Sequence, residues 1–336
     1  MSIKVGIPRG LMYYNYYPLW AKFFEMLEAE VILSDKTNKQ IVDDGVRNSV
    51  DEACLPVKVY HGHIINLKDR VDYIFIPKIM SIYKNEFICP KFCGLPEMIR
   101  HSIRGLPPII DTTINFRNSR KDLYKVVYEI GSYITKDIHK IDYAFEKALD
   151  YHRSYRGLIK KGMLPIDILE KRYSWAGNPS DRLRSILLLG HPYTMYDSHI
   201  SMNVVDKLRK NGLKVITQDS FGTQAINDKA NTMDKKMFWT FGRQILGAAL
   251  CAVEQKEILG VVYLSSFACG LDSVIGDIIE RRVRRDTNIP FMLLTVDEHT
   301  GEAGVDTRIE AFIDMIRWRE KNEGDISTHG KYVSAN

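Results

Sequence analysis

A chain of 336 residues with 45% hydrophobic and 26% charged side chains has the composition of a folded protein of about two domains, which excludes disorder over most of its length. Its 47 Lys and Arg against 42 Asp and Glu leave a net charge of +5, too slight an excess to argue for nucleic acid, and no apolar stretch approaches the roughly 18–20 residues of a membrane span. The N-terminal Met1-Ser2-Ile3-Lys4 enters a strand at once, without an apolar signal core or an Arg-rich leader, so a cytoplasmic location is expected.

Residues 3–7 are a short apolar run closed by Pro8-Arg9-Gly10, and Leu19, Phe23, Met26 and Leu27 then recur at helical spacing. Val31-Ile32-Leu33 is the next strand. A second helix is predicted after Cys54, with Pro56 in its first turn. Tyr73-Ile74-Phe75-Ile76 reads as a buried strand closed by Pro77, and Ile109-Ile110 as another. Tyr124, Val127, Ile130 and Ile134 fit a helix, as do Ile141, Phe145 and Leu149, while the basic stretch 153–161 reads as a connector. The plan then repeats. Residues 186–189 are a strand, Met202, Val205 and Leu208 share a helical face that Asn211-Gly212 ends, and Val215-Ile216 is the next strand. An offset of 184 brings Gly6 onto Gly190, Pro8 onto Pro192 and Val31 onto Val215 without a gap. Two related α/β halves with mostly parallel sheets follow. The expected divisions are a first α/β domain over 1–135, a helical connector over 136–182, a second α/β domain over 183–325 and a frayed tail over 326–336.

Four of the five cysteines stand near strand or loop ends, before helices: Cys54, Cys89, Cys93 and Cys269. The tripeptide Cys-Gly-Leu occurs at both Cys93 and Cys269, each time after the equivalent buried strand of its half, where open α/β sheets build their sites. A following helix N-terminus favours a thiolate, and an adjacent glycine lets backbone N–H groups approach closely. Four thiolates converging from two domains fit one [4Fe–4S] cluster in the interdomain cleft, and tetrahedral zinc is the other four-thiolate reading. Buried small hydrophobic cysteines are the plain alternative. Cys251 lies inside the apolar helical run 246–253 and is expected only to pack.

Other residues bear on the cleft. The stretch Asp297-Glu298-His299-Thr300-Gly301-Glu302 follows a strand and precedes a helix. It reads either as a loop capped by Asp306 or Thr307, or as a source of a proton donor from Glu298, His299 or Glu302. Arg9, at the first strand end, either binds an anion or forms a structural ion pair. His61 and His63 lie about two turns beyond Cys54 on its helix, and His191 occupies the slot of Ile7 in the second half. The basic run 281–285 reads as a solvated helix end, with an acidic partner or a phosphate-bearing ligand as the sharper alternative. The tyrosines of Tyr13-Tyr14-Asn15-Tyr16-Tyr17 either wall the cleft or form an interface.

Four motifs together carry a resemblance: Lys4-Val5-Gly6-Ile7-Pro8-Arg9-Gly10-Leu11, Asp51-Glu52-Ala53-Cys54-Leu55-Pro56, Cys89-Pro90-Lys91-Phe92-Cys93-Gly94-Leu95-Pro96 and Asp297-Glu298-His299-Thr300-Gly301-Glu302-Ala303-Gly304. Over nearly its whole length the chain resembles the 2-hydroxyacyl-CoA dehydratase / benzoyl-CoA reductase / double-cubane cluster superfamily, in particular its "CoA protein activase" branch. The resemblance implies flavodoxin-like domains, an oxygen-sensitive cluster between them, and a separate ATP-hydrolysing activase that supplies one low-potential electron. The chain has neither a phosphate-loop motif nor the Asp-x-Gly-Ser/Thr signature of actin-like ATPases, so it is not expected to hydrolyse ATP. Four cysteines rather than the three of dehydratase subunits imply a closed iron shell and electron transfer. Three ligands would leave an iron open to a small substrate, such as an acyl-CoA, and make the chain an enzyme. A non-catalytic scaffold, stabilised by zinc or carrying a cluster, is the third reading. No nucleic-acid or membrane partner is expected, and a homodimer stays open.

Overall fold

The computed structural model describes residues 2–117, 122–172, 184–255 and 257–321; the expected tail over 326–336 and the connector beyond residue 172 lie outside the described residues. The first half runs β1 (Lys4–Ile7), α1 (Tyr13–Met26), β2 (Glu30–Leu33), α2 (Lys39–Arg47), α3 (Leu55–Leu67), β3 (Tyr73–Phe75), β4 (Lys78–Ser81), α4 (Pro90–Cys93), α5 (Leu95–Ser102), β5 (Ile109–Ile110) and β6 (Thr113–Asn115). Helices α6 (Leu123–Gly131), α7 (Ile138–Lys160) and α8 (Pro165–Leu169) follow. The second half runs β7 (Ser185–Gly190), α9 (Pro192–Met195), α10 (Val204–Lys210), β8 (Lys214–Thr217), a 3-10 turn at Gln218–Ser220, α11 (Thr223–Ala230), α12 (Thr240–Ala252), β9 (Ile258–Ser266), α13 (Gly270–Asp286), β10 (Phe291–Val296) and α14 (Glu302–Lys321).

The fold class is α/β, and every strand pair between these elements is parallel. The two main sheets have the same order, β2-β1-β3-β5 and β8-β7-β9-β10, the arrangement expected of duplicated flavodoxin-like halves. A third, two-stranded sheet of β4 and β6 prolongs β3 and β5 past the break at Pro77. The gap-free alignment of the halves does not survive in the register. Val5 pairs with Val31, whereas Val215 pairs with Ile186 and not with Leu189, which the offset matches to Val5. The reason is the crossover. In the first half α1 alone spans it; in the second it is broken into α9 and α10, with Met202 and Asn203 in left-handed conformation between them.

The helices predicted around 124–134 and 141–149 form, as α6 and α7, and they pack into the first half. Val127, Ile130, Ile141, Ala144, Phe145 and Ala148 are buried in the same core as Val5, Phe23 and Ile74. The basic stretch read as a connector is helical to Lys160. There Tyr155 donates to the Tyr14 carbonyl at 2.6 Å, and Arg156 lies 3.6 Å from Asp219 of the second half. Around the second sheet, one core gathers Ile186, Leu188, Val262 and Leu294 with helices α10 and α14 and with Tyr14, Ile41, Leu55 and Val59 from the first half. The helices α2 and α3 therefore lie between the sheets. They cross at two glycines: a Cβ on Gly45 would meet the Lys58 carbonyl at 2.0 Å, and one on Gly62 the Ile41 carbonyl at 1.8 Å. Only glycine permits that approach. The halves are tied again where Phe87 exchanges backbone hydrogen bonds with Phe238 and Thr240 at 2.8 and 2.9 Å. Among the described residues, no helix is long and apolar enough to cross a membrane.

Candidate metal centre

Helix starts decide where three of the cysteines stand. Cys54 is the N-cap of α3, Cys89 of α4 and Cys269 of α13, while Cys93 ends α4 directly before α5. Proline in the first turn of α3, α4 and α5 fixes each start, because it needs no hydrogen-bond acceptor there. Cys269 follows β9 through a tight turn in which its amide donates to the Ser266 carbonyl at 3.1 Å and Ala268 takes φ of 60°. A left-handed alanine is a strained choice that the surrounding fold enforces.

These cysteines converge. Cys54 and Cys269, from different halves, share a small apolar cluster with Ala53, Val57 and Met98. Burial pushes the Cys54 thiol up, and burial also raises Cys89, which feels both Cys54 and Cys93. Cys269 is raised furthest, by burial first and then by Asp272 and Cys54; burial raises Cys93 against the opposing charge of Lys78. Burial thus opposes, at all four thiols, the lowering expected of helix N-termini. Buried Tyr193 stands among Cys269, Cys54 and Cys89, its ring 6.1 Å from that of Phe92.

One group that spacing did not reveal lies beside them. Ligand atoms of His191, Cys269 and Asp272 fall within 4.8 Å of one another, the only such group among the described residues. His191 is the residue after β7 and Cys269 lies just beyond β9, so both stand where the second sheet reverses its strand order, the usual ligand position of such sheets. His191 is fully buried, stacks on Tyr193 at 4.9 Å and lies 3.4 Å from Asp272; burial lowers its pKa, and neither ring nitrogen has a hydrogen-bond partner. Asp272 accepts from the Tyr263 hydroxyl at 2.9 Å and from the Ser266 amide at 3.0 Å. An acid three residues after Cys269, in the first turn of its helix, was the available signal for it.

The donor chemistry fits a thiophilic metal group. No three of the four cysteine sulfurs lie within 4.8 Å of one another, whereas a single zinc with bonds of about 2.3 Å would hold them about 3.8 Å apart. A Cβ on Gly94 would meet only the Pro90 carbonyl at 4.0 Å, and one on Gly270 nothing within 4 Å, so space stays open beside Cys93 and Cys269.

The other candidates separate. Glu298 reaches the cleft, but in a part-buried ion pair with Lys58, one turn beyond Cys54, at 2.5 Å. Burial opposes its ionisation, yet the hydrogen bond from Lys58 and the neighbouring charges hold its carboxyl below the ordinary value. His299 is exposed, and Glu302 pairs with Lys207 at 3.0 Å. The loop is not capped by Asp306 or Thr307, which lie within α14; Asp297 organises it by accepting from Thr300 Oγ1 at 2.7 Å and the His299 amide at 2.9 Å. Arg9 is tied to the Ser34 carbonyl at 2.7 Å and to the Tyr13 hydroxyl at 3.2 Å. His61 and His63 are fully buried in α3, bound to the Val57 carbonyl at 2.8 Å and to Thr37 at 3.1 Å, and burial lowers both, His63 to about 3. Cys251 is half-buried in α12, with its thiol raised by burial. The run 281–285 ends α13, and its arginines pair with Asp277, Glu280 and Asp286 on the same helix.

Residues 165–316 match the 2-hydroxyglutaryl-CoA dehydratase, D-component family. No curated relative matches the chain. Residues 4–221, well over half of the chain, match the family described as CoA enzyme activase uncharacterised domain (DUF2229), and the chain belongs to it.

Proposed function

We propose that this chain is the iron–sulfur component of a multi-component dehydratase- or reductase-type system, receiving its electron from a separate ATP-hydrolysing activase. One observation carries the reading: three thiols at helix N-caps, Cys54, Cys89 and Cys269, stand about Tyr193 from both halves, and Cys93 adjoins Cys89. The descriptions of the two matching families support the setting. Cys54, Cys89, Cys93 and Cys269 would hold a [4Fe–4S] group, which when bound stores and passes single electrons at low potential.

The chain's residues contribute the rest. Helix N-termini at Cys54, Cys89 and Cys269 place partial positive charge against a ligand set of net negative charge. Lys91, between two of the cysteines, opposes the raised pKa of both Cys54 and Cys89. Val57, Met98 and Tyr193 keep water from the cleft side. The metal-free thiols are protonated at neutral pH, so loading must release protons and weaken as pH falls.

Anaerobic purification with iron, sulfide and zinc analysis and an absorption spectrum tests this reading. Replacing Cys54, Cys89, Cys93 or Cys269 by Ala should reduce iron content, while Cys251→Ala should not. Full iron retention in all four variants rejects the assignment. The group His191, Cys269 and Asp272 supports a second reading, a single zinc ion on three protein ligands. In that case zinc is found without sulfide, and His191→Ala removes it while Cys89→Ala does not.

A further inference from the structure

A cavity of about 490 Å³ lies between the halves, on the far side of Phe92 and Phe241 from Tyr193. Its walls come from α1, β4, α4, α7, the turn Gln218–Ser220 and α12, and they are largely aromatic and aliphatic. The tyrosine run of α1 belongs here: Tyr13, Asn15, Tyr16 and Tyr17 all line the cavity. Its size is that of a small-molecule site, about 300–1,000 Å³.

Its polar groups are incomplete. Arg243 is 5% exposed and donates from Nε and Nη2 to Asn227 and Asn231, at 2.9 and 2.8 Å, yet its buried Nη1 has no partner. Gln218 is 3% exposed and donates from Nε2 to the Gly190 carbonyl at 2.7 Å, yet its buried Oε1 has no partner. Asn15 Oδ1 and His152 Nδ1, on the same walls, are also buried and unpartnered. Native interiors rarely leave such atoms unmatched, and in a cavity of this size each one is completed by a water or by a ligand atom. The turn carrying Gln218 packs against α12, whose first turn carries Arg243. The free donor and the free acceptor therefore come from adjoining walls of the cavity.

The charges narrow the ligand further. Arg243 lies 3.6 Å from Glu86, and Arg156 lies 3.6 Å from Asp219. His152 is neutral at physiological pH, burial and Arg156 holding it at about 4. With each lining cation matched by a carboxylate, nothing is left to neutralise a carboxylate or phosphate ligand.

We propose that this cavity binds a compact, uncharged organic molecule with an apolar ring and a carboxamide, whose carbonyl accepts from Arg243 Nη1 and whose N–H donates to Gln218 Oε1. The site is a second one, lined by none of the four cysteines, and it does not depend on the cluster reading.

Three probes of one shape test the proposal: phenylacetamide, phenylacetate and ethylbenzene. Binding is followed by calorimetry on the full anaerobic chain and by fluorescence of Trp20, which lines the cavity, with Trp20→Phe identifying its signal. The amide should bind at least about tenfold more tightly than either analogue, as a hydrogen bond to a charged donor implies. Arg243→Lys should abolish that preference. Leu149→Trp, which fills the cavity from α7, should weaken amide and ethylbenzene binding, with folding of each variant checked by thermal melting. Failure of all three probes to bind overturns the proposal, as does tighter binding of phenylacetate or amide binding unaltered by Leu149→Trp. Iron measured on the same samples separates loss of this site from loss of the cluster.

Discussion

The ion pair between Lys58 and Glu298 joins residues of opposite halves at 2.5 Å, with only 8% and 16% of the two side chains exposed. Lys58→Met leaves the Glu298 carboxylate facing an apolar group in a largely dry setting. Removing one partner of a buried pair costs about 3–5 kcal/mol, and because Glu298 keeps some solvent the lower end applies, about 3 kcal/mol. For a unit of 150–250 residues that is a fall in Tm of about 6–12 °C. Lys58→Met with Glu298→Leu should recover most of the loss, since both charges and their desolvation are then gone. Acid gives an independent check. The folded carboxyl of Glu298 lies below its unfolded value, so the pair's contribution is complete above about pH 4.3, the unfolded value, and is lost as pH falls through the folded one. Wild-type and Lys58→Met stabilities should therefore differ at pH 7 and converge as the pH falls through the folded value. Urea unfolding of the metal-free chain at several pH values measures this. A loss under about 1 kcal/mol at pH 7, with no coupling in the double variant, would show a pair solvated like a surface salt bridge and would refute the reasoning.

Gly62→Ala should unfold the chain or cost several kcal/mol, because its Cβ would lie 1.8 Å from the Ile41 carbonyl and α2 cannot withdraw without exposing Ile41 and Val42; a stable, soluble alanine variant would contradict the crossing geometry. If Cys54 and Cys269 hold one metal group, its removal should leave both sheets folded while increasing proteolysis at the junction of the halves; identical digests of metal-loaded and metal-depleted chain would mean that Cys269 is not a ligand. The purified chain should show no ATP hydrolysis, and turnover persisting in an activase-free preparation would overturn that.

Sequence alone determined the layout. Short apolar runs placed β1, β2, β3, β5, β7 and β8, most plainly β7, which is buried along its whole length and so leaves an unbroken apolar run that local reading detects. Proline before a helical pattern placed the start of α3, and Cys-Gly-Leu marked corresponding positions after a strand in each half. Helix α2 went unread although Asn38 caps it, because what buries it is a close crossing with the next helix at Gly45 and Gly62, and glycines inside a helical pattern read locally as breakers. The register of the second half also escaped sequence reading, since an alignment without gaps cannot register a crossover helix broken in two. Only tertiary structure decided the thiol protonation, which rests on how much water burial removes, and the use of Glu298, whose partner lies 240 residues away. It alone brought His191 and Asp272 to Cys269 and left Arg243 and Gln218 each one hydrogen bond short around a cavity. Convergence of distant segments and removal of water are properties of the packed molecule, and no local pattern of residues encodes them.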